Sequence, residues 1–456
     1  MKILITGARS YVAYYWGLAL KGKHEVLYCD SLVHPYCRYA PFAKQYFKVS
    51  PPAQDLEGFK ADIMQIVLEQ GVDMVIPTCE EVFYLSSFAG ALDCEVFCPD
   101  HQLLADLHHK HHVFGQLPEN TEIKIPETRP VFNVSDVMRL DSTILKPAFS
   151  RFGSKVIMNP GSDDLSAIDG TQPWVQQAKL EGRALCSYAV AVNGKMVAHS
   201  CYHARYSIEN SAALALAPVQ YAQIEEFSKE FIEQHQYHGQ VAFDFIEDEV
   251  RGGIYVIECN PRGTSGIHLM NLQDLQAAVF EEGPQARIHQ RLMAFKPILN
   301  WYNLIGKLGG GYKATLKEDL IDCMDILAPE GQGSVSRRRW LLMLEMGWRM
   351  VRHRMSLAES TTYDIEWNGQ SLTWVSEEPM QFQKIGKQAD GSEGYLYGRQ
   401  GGAQGHFIIK PPFARVEILK TAEGDFGAKE AKRLARLIVD QMPKSDSTLL
   451  GGQCHG

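Results

Sequence analysis

Two stretches, Val241-Ala242-Phe243-Asp244-Phe245-Ile246 and Val256-Ile257-Glu258-Cys259-Asn260-Pro261-Arg262, set acids inside otherwise apolar runs. The apolar residues predict two β-strands, Val241 to Ile246 and Ile254 to Cys259. Side chains two apart on a strand share a face, so Glu258 and Asn260 point together. If the strands pair as a hairpin across 247–253, Asp244 joins them. An acid at a strand end ordinarily faces water, but one inside an apolar strand is costly unless paired or metal-bound. Three oxygen donors on adjacent strands suit Mg²⁺, which keeps some waters and takes other ligands from nucleotide phosphates.

Working outward, Ser142 to Pro147 reads as a strand carrying Lys146, and Lys155 to Met158 as its return. The loop 148–155 between them is small and cationic enough to wrap a polyphosphate with amide N–H groups and ammonium charge, although a lysine at a strand end is more often merely solvated. Trp174 to Gly182 reads as a strand leading into an extended linker, with backbone groups for an adenine edge and an acid for ribose hydroxyls. Ser187 to Val192 and Lys195 to Ser200 flank Asn193-Gly194, a strong hairpin signal. A helix follows from about Gln220 to Gln236. At the N-terminus, Met1 to Asp30 reads strand, Gly turn, helix, strand. Helices over Ala61 to Gln70 and Glu81 to Leu92 precede the strands Asp73 to Pro77 and Glu95 to Cys98. That alternation predicts a parallel sheet covered on both faces.

Beyond about residue 290 the pattern weakens. Arg337 to Arg354 is apolar and basic, Asp364 to Val375 resembles a hairpin around Asn368-Gly369, 386–405 is glycine-rich, and Ala428 to Met442 reads as a helix.

Composition bounds the partners. The chain has 456 residues, 45 Lys plus Arg against 54 Asp plus Glu, and a net charge of −9. At about 100–200 residues per domain it holds two to four units, and it lacks the basic block of a general nucleic-acid binder. No apolar run approaches the roughly 18–20 residues of a membrane span, and the apolar N-terminal stretch is too short for a signal segment. Ten cysteines with no C-x-x-C pair suggest reduced thiols rather than zinc or disulfides. The expectation is a cytoplasmic protein without a membrane span.

Taken in order, these pieces resemble the ATP-grasp carboxylate-amine ligases, over about residues 1–290, and Ile257-Glu258-Cys259-Asn260-Pro261-Arg262 is the most specific part. The resemblance implies an α/β protein with the ATP-grasp fold. Its expected parts are an N-terminal parallel-sheet α/β domain over 1–105 and an ATP-grasp domain over 106–290. Within the latter, a small α+β lid covers about 140–180 and an antiparallel-sheet core about 181–290. A C-terminal α+β region of unknown role covers 291–456. Position by position, the resemblance makes Lys110 and Lys146 nucleotide-phosphate ligands and Ser150 to Ser154, with Gly153, the flap. It makes Gln176, Gln177, Ala178 and Lys179 the adenine hinge, and Asp244, Glu258 and Asn260 the metal ligands. Arg262 and Arg205 become clamps on an acyl-phosphate. Two departures stand out: the flap is poor in glycine, and Ala184 occupies the place of the usual ribose-binding acid, for which Glu181 would substitute.

The implied cofactors are ATP and Mg²⁺, with Mn²⁺ able to replace it. The implied partners are a small carboxylate and an amine, and a homodimer is compatible with the pattern. The alternative enzyme is a carboxylase or carbamoyl-phosphate-type catalyst using the same fold on bicarbonate; the non-enzymatic one is a nucleotide-binding regulator. Three further readings are weaker. His108 to His112 looks like a metal tract, but adjacent helical residues point apart and only His108 with His112 has i, i+4 spacing. Thr6 to Ser10 lacks the glycine pattern of a dinucleotide fold. The basic amphipathic stretch Arg337 to Arg354 could dock on a membrane or hold an acyl chain, yet such stretches more often pack against their own protein.

Overall fold

The computed structural model describes residues 1–370 except 120, 139–141, 151–155, 162, 169, 171, 209–211, 306–307, 310–314 and 329–338. Beyond 370 it describes only the strands Gln381–Lys387, Glu393–Gly398, Gln404–Ile409 and Glu417–Thr421. The chain divides into two compact units, Met1–Ser371 and Leu372–Gly456.

The first unit opens with β1 (Lys2–Ile5), α1 (Tyr11–Leu20), β2 (Glu25–Asp30), β3 (Ala43–Lys48), α2 (Leu56–Gln70), β4 (Met74–Ile76), α3 (Glu81–Ser86), β5 (Glu95–Val96) and α4 (His101–His108). The five strands form a parallel sheet in the order β3-β2-β1-β4-β5. Ile3, Leu4, Ile5, Val75 and Ile76 are wholly buried, as continuous apolar strands covered on both faces must be. Ser10, Asp55 and Asp100 cap α1, α2 and α4 with their side-chain oxygens. The strand order reverses between β1 and β4, which opens a crevice at their C-terminal ends. There Gly7 turns with φ +68°, and a Cβ would meet Thr78 Oγ1 at 2.7 Å and Glu81 Oε1 at 2.9 Å.

A second sheet follows, β6 (Thr128–Val131), β7 (Thr143–Pro147), β8 (Ile157–Met158) and β9 (Trp174–Ala178), ordered β6-β9-β7-β8 and antiparallel throughout. Its small core is Val131, Leu145, Ile168 and Trp174.

The central sheet is the largest. Its members are β10 (Gly182–Val192), β11 (Lys195–Ile208), β12 (Ala212–Val219), β13 (Gly239–Asp248), β14 (Ile254–Asn260), β15 (Met293–Ala294), β16 (Leu308–Gly309) and β17 (Met324–Asp325). They run β14-β13-β10-β11-β12-β15-β17, with β16 on β11. Asn193 and Gly194 both take positive φ in the β10–β11 hairpin, as its two-residue turn demands. Helix α5 (Ala222–Gln234) covers one face, packing Ile224, Phe227 and Phe231 on Leu185, Phe243 and Phe245. The opposite face, with Tyr188, Tyr202 and Ala242, shares a core with α1 and the parallel sheet. Gln240 pins that junction: Oε1 accepts from Trp16 Nε1 (2.8 Å) and the Tyr188 hydroxyl (2.7 Å), and Nε2 donates to the Pro77 carbonyl (2.7 Å).

The remaining helices are α6 (Leu272–Phe280), α7 (Lys296–Leu304), α8 (Leu316–Asp322), α9 (Arg339–His353) and α10 (Leu357–Thr362). No described helix is long and apolar enough to cross a membrane. The hairpin expected from Asp364 to Val375 does not form over its described part, 364–370, which is turn and extended chain. Tertiary packing overrides the local signal: Trp367 stacks on Phe83 (5.0 Å between centroids) and lies 5.4 Å from Phe149, and Gly369 faces the Phe149 ring. The strands at 381–387, 393–398 and 404–409 pair antiparallel within the second unit, around the glycine-rich stretch. The helix expected over Ala428 to Met442 lies outside the described residues.

A buried ion network ties 361–364 to the first β-turn. Arg9 contacts Asp30 at 2.6 Å and Asp364 at 2.6 Å, Asp364 also meets Arg349 at 2.9 Å, and Ser31 Oγ donates to Asp364 (2.5 Å). Burial alone would raise Asp364, but Arg9 and Arg349 override it and hold the carboxyl well below the ordinary range. A depressed carboxyl stabilises the fold above its unfolded pKa of about 4, and that contribution disappears as pH falls toward the folded value. Asp364→Asn is therefore expected to lower stability near pH 7 by about 3 kcal/mol, by analogy with breaking buried ion pairs. In urea unfolding the gap between wild type and variant should narrow as pH drops below about 4.

Candidate active site

The β13–β14 register sets Asp244 opposite Glu258, and β10 and β11 extend the same row through Cys186 and Tyr202. Directly opposed residues of antiparallel strands share a face, so these four side chains line one shelf. A register irregularity between Asp244 and Phe245 bends the ladder at this point. Asn260 Nδ2 donates to Asp244 Oδ2 at 3.1 Å and to Glu258 Oε1 at 3.5 Å, closing the trio expected from spacing. Cys186 hydrogen-bonds Asp244, and Tyr202 engages Cys186 and Thr264.

Two lysines face the acids. Lys110 sits in the turn after α4, where its amide donates to the Ala148 carbonyl (3.0 Å). Its Nζ donates to the Ser150 carbonyl (2.8 Å) and lies 3.5 Å from Glu258. Lys146 on β7 donates from Nζ to Gln177 Oε1 (3.0 Å) and to the Ile257 carbonyl (3.4 Å). Both are buried, 5% and 4% exposed. Burial draws Lys146 down to about 8, against the pull of Glu258. Burial and the neighbouring Glu258 charge push Asp244 up to about 7. Burial alone would raise Glu258, yet Lys110 and Lys146 hold it below the ordinary value. Two carboxylates side by side, one destabilised as an anion, are a cluster short of positive charge.

The hinge residues span the end of β9 and the linker after it. Strand β9 lies between β6 and β7, so the backbone of Gln176 to Ala178 is paired within the sheet. Their side chains organise the site instead: Gln177 bridges Lys146 and Thr128 (Nε2 to Oγ1, 2.9 Å), and Gln176 donates to Thr143 Oγ1 at 3.2 Å. The Lys179 amide donates to Ser142, and Lys179 Nζ pairs with Glu181 at 2.7 Å. Glu181 is exposed beyond it, its amide held by Asp248 (3.1 Å). Ser150 leads into the flap; Gly153 and Ser154 lie outside the described residues.

Arg262 donates to Asn260 Oδ1 at 3.2 Å, and its Nε lies 3.7 Å from buried Glu80 at the parallel-sheet crevice. Arg205 has other partners. It pairs with Asp319 at 2.6 Å and donates to Thr315 Oγ1, at a point where the β11–β12 register slips. This structure thus joins Arg262, not Arg205, to the acid trio. The histidine tract forms no metal cluster among the described residues. His109 Nδ1 accepts from the amides of His111 and His112, fixing the turn that carries Lys110. Cys186, Tyr202 and Glu80 were not anticipated, since strand register across distant segments has no local sequence signal.

The trio fits a divalent cation. Asp244 and Glu258 supply carboxylate oxygens; Asn260 would offer Oδ1 by turning its amide over, which exchanges its bond from Arg262 for the metal.

No known family's sequence profile matches the chain, and no curated protein matches it in sequence. Solved structures match its fold. The ADP complex of N5-carboxyaminoimidazole synthetase from Staphylococcus aureus has a TM-score of 0.50 and 14% identity, covering 64% of this chain and 80% of that one. The biotin carboxylase domain of the Hydrogenobacter thermophilus 2-oxoglutarate carboxylase has a TM-score of 0.50 and 12% identity, covering 64% and 73%. The biotin carboxylase of Campylobacter jejuni has a TM-score of 0.50 and 13% identity, covering 63% and 72%. The architecture is the ATP-grasp fold.

Glu258→Gln relieves repulsion with Asp244 but removes the anion that Lys110 and Lys146 face, so the variant is expected to fold with stability lowered by about 1–3 kcal/mol. Any ATP-dependent turnover should fall about a hundredfold or more, the scale of losing one preorganised charge. Unfolding with undiminished specific activity would make the residue structural.

Proposed function

We propose that this ATP-grasp chain is an ADP-forming ligase that activates a small-molecule carboxylate as an acyl-phosphate and joins it to an amine. The observation that carries the reading is the convergence of Asp244, Glu258 and Asn260 with buried Lys110 and Lys146 on one shelf beside Arg262.

A carboxylate is a poor electrophile. Transfer of the γ-phosphoryl group of ATP to one of its oxygens makes a mixed anhydride and releases ADP; attack by the amine then expels inorganic phosphate. Lys110 and Lys146 hold nucleotide phosphates, and Ser150, Gly153 and Ser154 serve as the flap. The stretch Gln176 to Lys179, with Glu181, borders the adenosine. Asp244, Glu258 and Asn260 are the residues that would hold Mg²⁺, which neutralises phosphate charge when bound. Arg262 holds the reacting carboxyl, since its planar fork binds two oxygens at once, and the crevice by Glu80 and Gly7 receives the rest of the substrate. Arg205, held by Asp319, is left out of this chemistry. The nine described cysteines are free thiols, which supports a reducing, cytoplasmic setting.

The alternative reading, with bicarbonate as the activated carboxylate, draws support from a fold shared with a biotin carboxylase domain solved with bicarbonate. The test is ADP and phosphate release against a panel of amino and hydroxy acids and bicarbonate, with and without amines. With an ¹⁸O-labelled carboxylate, one heavy oxygen should enter phosphate for each product formed. AMP as the nucleotide product, or phosphate without label, would overturn the acyl-phosphate route; nucleotide binding without ADP release across the panel would favour a regulatory protein. Arg262→Lys should lower kcat more than it raises KM for ATP, because it loosens the reacting carboxyl and spares the phosphate lysines.

A further inference from the structure

Helix α9 is amphipathic, with Glu345, Arg349, Arg352 and His353 on one side and Trp340, Met343, Leu344, Trp348 and Val351 on the other, and packing decides which side is covered. Its inner side is fixed by four contacts. Leu342 packs on the core of the first unit, and Met346 is buried, with Ser360 Oγ directed at its sulfur (3.7 Å). Glu345 accepts from the amides of Val33 and His34 at 2.8 Å each. Arg349 pairs with Asp364 at 2.9 Å.

The side this leaves outward is not polar. Trp340, Met343, Leu344, Trp348 and Val351 recur at three- and four-residue spacing and are 57%, 62%, 60%, 58% and 82% exposed. They form one continuous stripe along the helix. Scattered exposed apolar residues are ordinary, but five large ones aligned on one face mark a surface that meets something.

Charge says what. Between 337 and 354 the sequence has six arginines, one histidine and a single acid, Glu345; of the described basic residues Arg349 is turned inward on Asp364, and Arg352, His353 and Arg354 are exposed. That one acid is turned inward on backbone amides. Arg352 stacks its guanidinium over the Trp348 ring at 5.1 Å, placing a cation at the edge of the stripe. An apolar stripe with tryptophans, edged by arginine and free of outward acid, is complementary to a layer that is apolar within and anionic at its surface.

We propose that α9 docks the protein on an anionic lipid surface, lying in the interface plane with Trp340, Leu344, Trp348 and Val351 turned into the lipid. Length is consistent with this geometry: the helix has 15 residues, too few to span a bilayer and enough to lie on one. The proposal is independent of the chemistry assigned to the acid trio.

The experiment is co-sedimentation of the full chain with sucrose-loaded vesicles of neutral phosphatidylcholine, alone or with about 30 mol% phosphatidylglycerol. Binding is expected on the anionic vesicles, with a blue shift in tryptophan fluorescence, and it should weaken as salt is raised. Leu344→Glu and Trp348→Glu should each cut partitioning about tenfold or more. Leu68→Glu, at an equally exposed apolar residue on α2, should not. Circular dichroism checks that each variant remains folded; if the α9 variants fail to fold, Arg352→Glu serves in their place. Equal binding to neutral vesicles, wild-type binding by folded α9 variants, or equal loss in Leu68→Glu would overturn the proposal. So would a solution dimer that the α9 variants dissociate, since a second copy would then cover the stripe.

Discussion

Two carboxylates held side by side on an apolar sheet are the constraint around which the first unit is arranged. Asp244 and Glu258 repel each other and lose hydration where the sheet places them, so each needs positive charge or hydrogen-bond donors. The chain supplies Asn260 from the same strand, Lys110 from the end of α4, and Lys146 from a different sheet. Three elements distant in sequence are thereby brought to one point.

The lysines bear a related cost. Buried ammonium groups are disfavoured, as the drop of Lys146 to about 8 records, and the acids offset part of that cost. Neither partner is comfortable alone. A polyanion with its counter-cation would satisfy both sets at once, meeting the lysines with phosphate and the acids with metal. The electrostatics thus prepare the shelf for a ligand carrying both signs of charge.

Around the shelf, the frame is held by polar junctions that are themselves buried. Gln240 ties the central sheet to α1 and to the end of β4, with each bond reaching across the boundary between sheets. Arg9 ties the first β-turn to Asp364, more than three hundred residues away. Trp367 and Gly369 then meet Phe149, one residue ahead of Ser150, whose carbonyl binds Lys110. A late segment of the first unit thus packs beside Lys110.

Some of this was readable from the amino acids alone. The Asp244 and Glu258 pairing was legible because its two strands are joined by a short connection, and period-two alternation then decides which side chains face together. The Asn193-Gly194 hairpin was legible because only residues tolerant of positive φ fit its turn. The βα alternation of the first hundred residues shows the parallel sheet for the same local reason. Cys186 and Tyr202 were not legible, because their place beside Asp244 depends on register between strands far apart in the chain. Nor was the capture of Arg205 by Asp319, at a register slip, or the burial of Gln176 and Gln177 between two strands. In α9 the sequence determined an amphipathic helix; only tertiary contacts from Glu345, Met346 and Arg349 decided that the side carrying Glu345 and Arg349 turns inward and the apolar stripe faces outward. Local patterns specify periodicity and turns, while the neighbour a side chain meets is set by how distant elements pack.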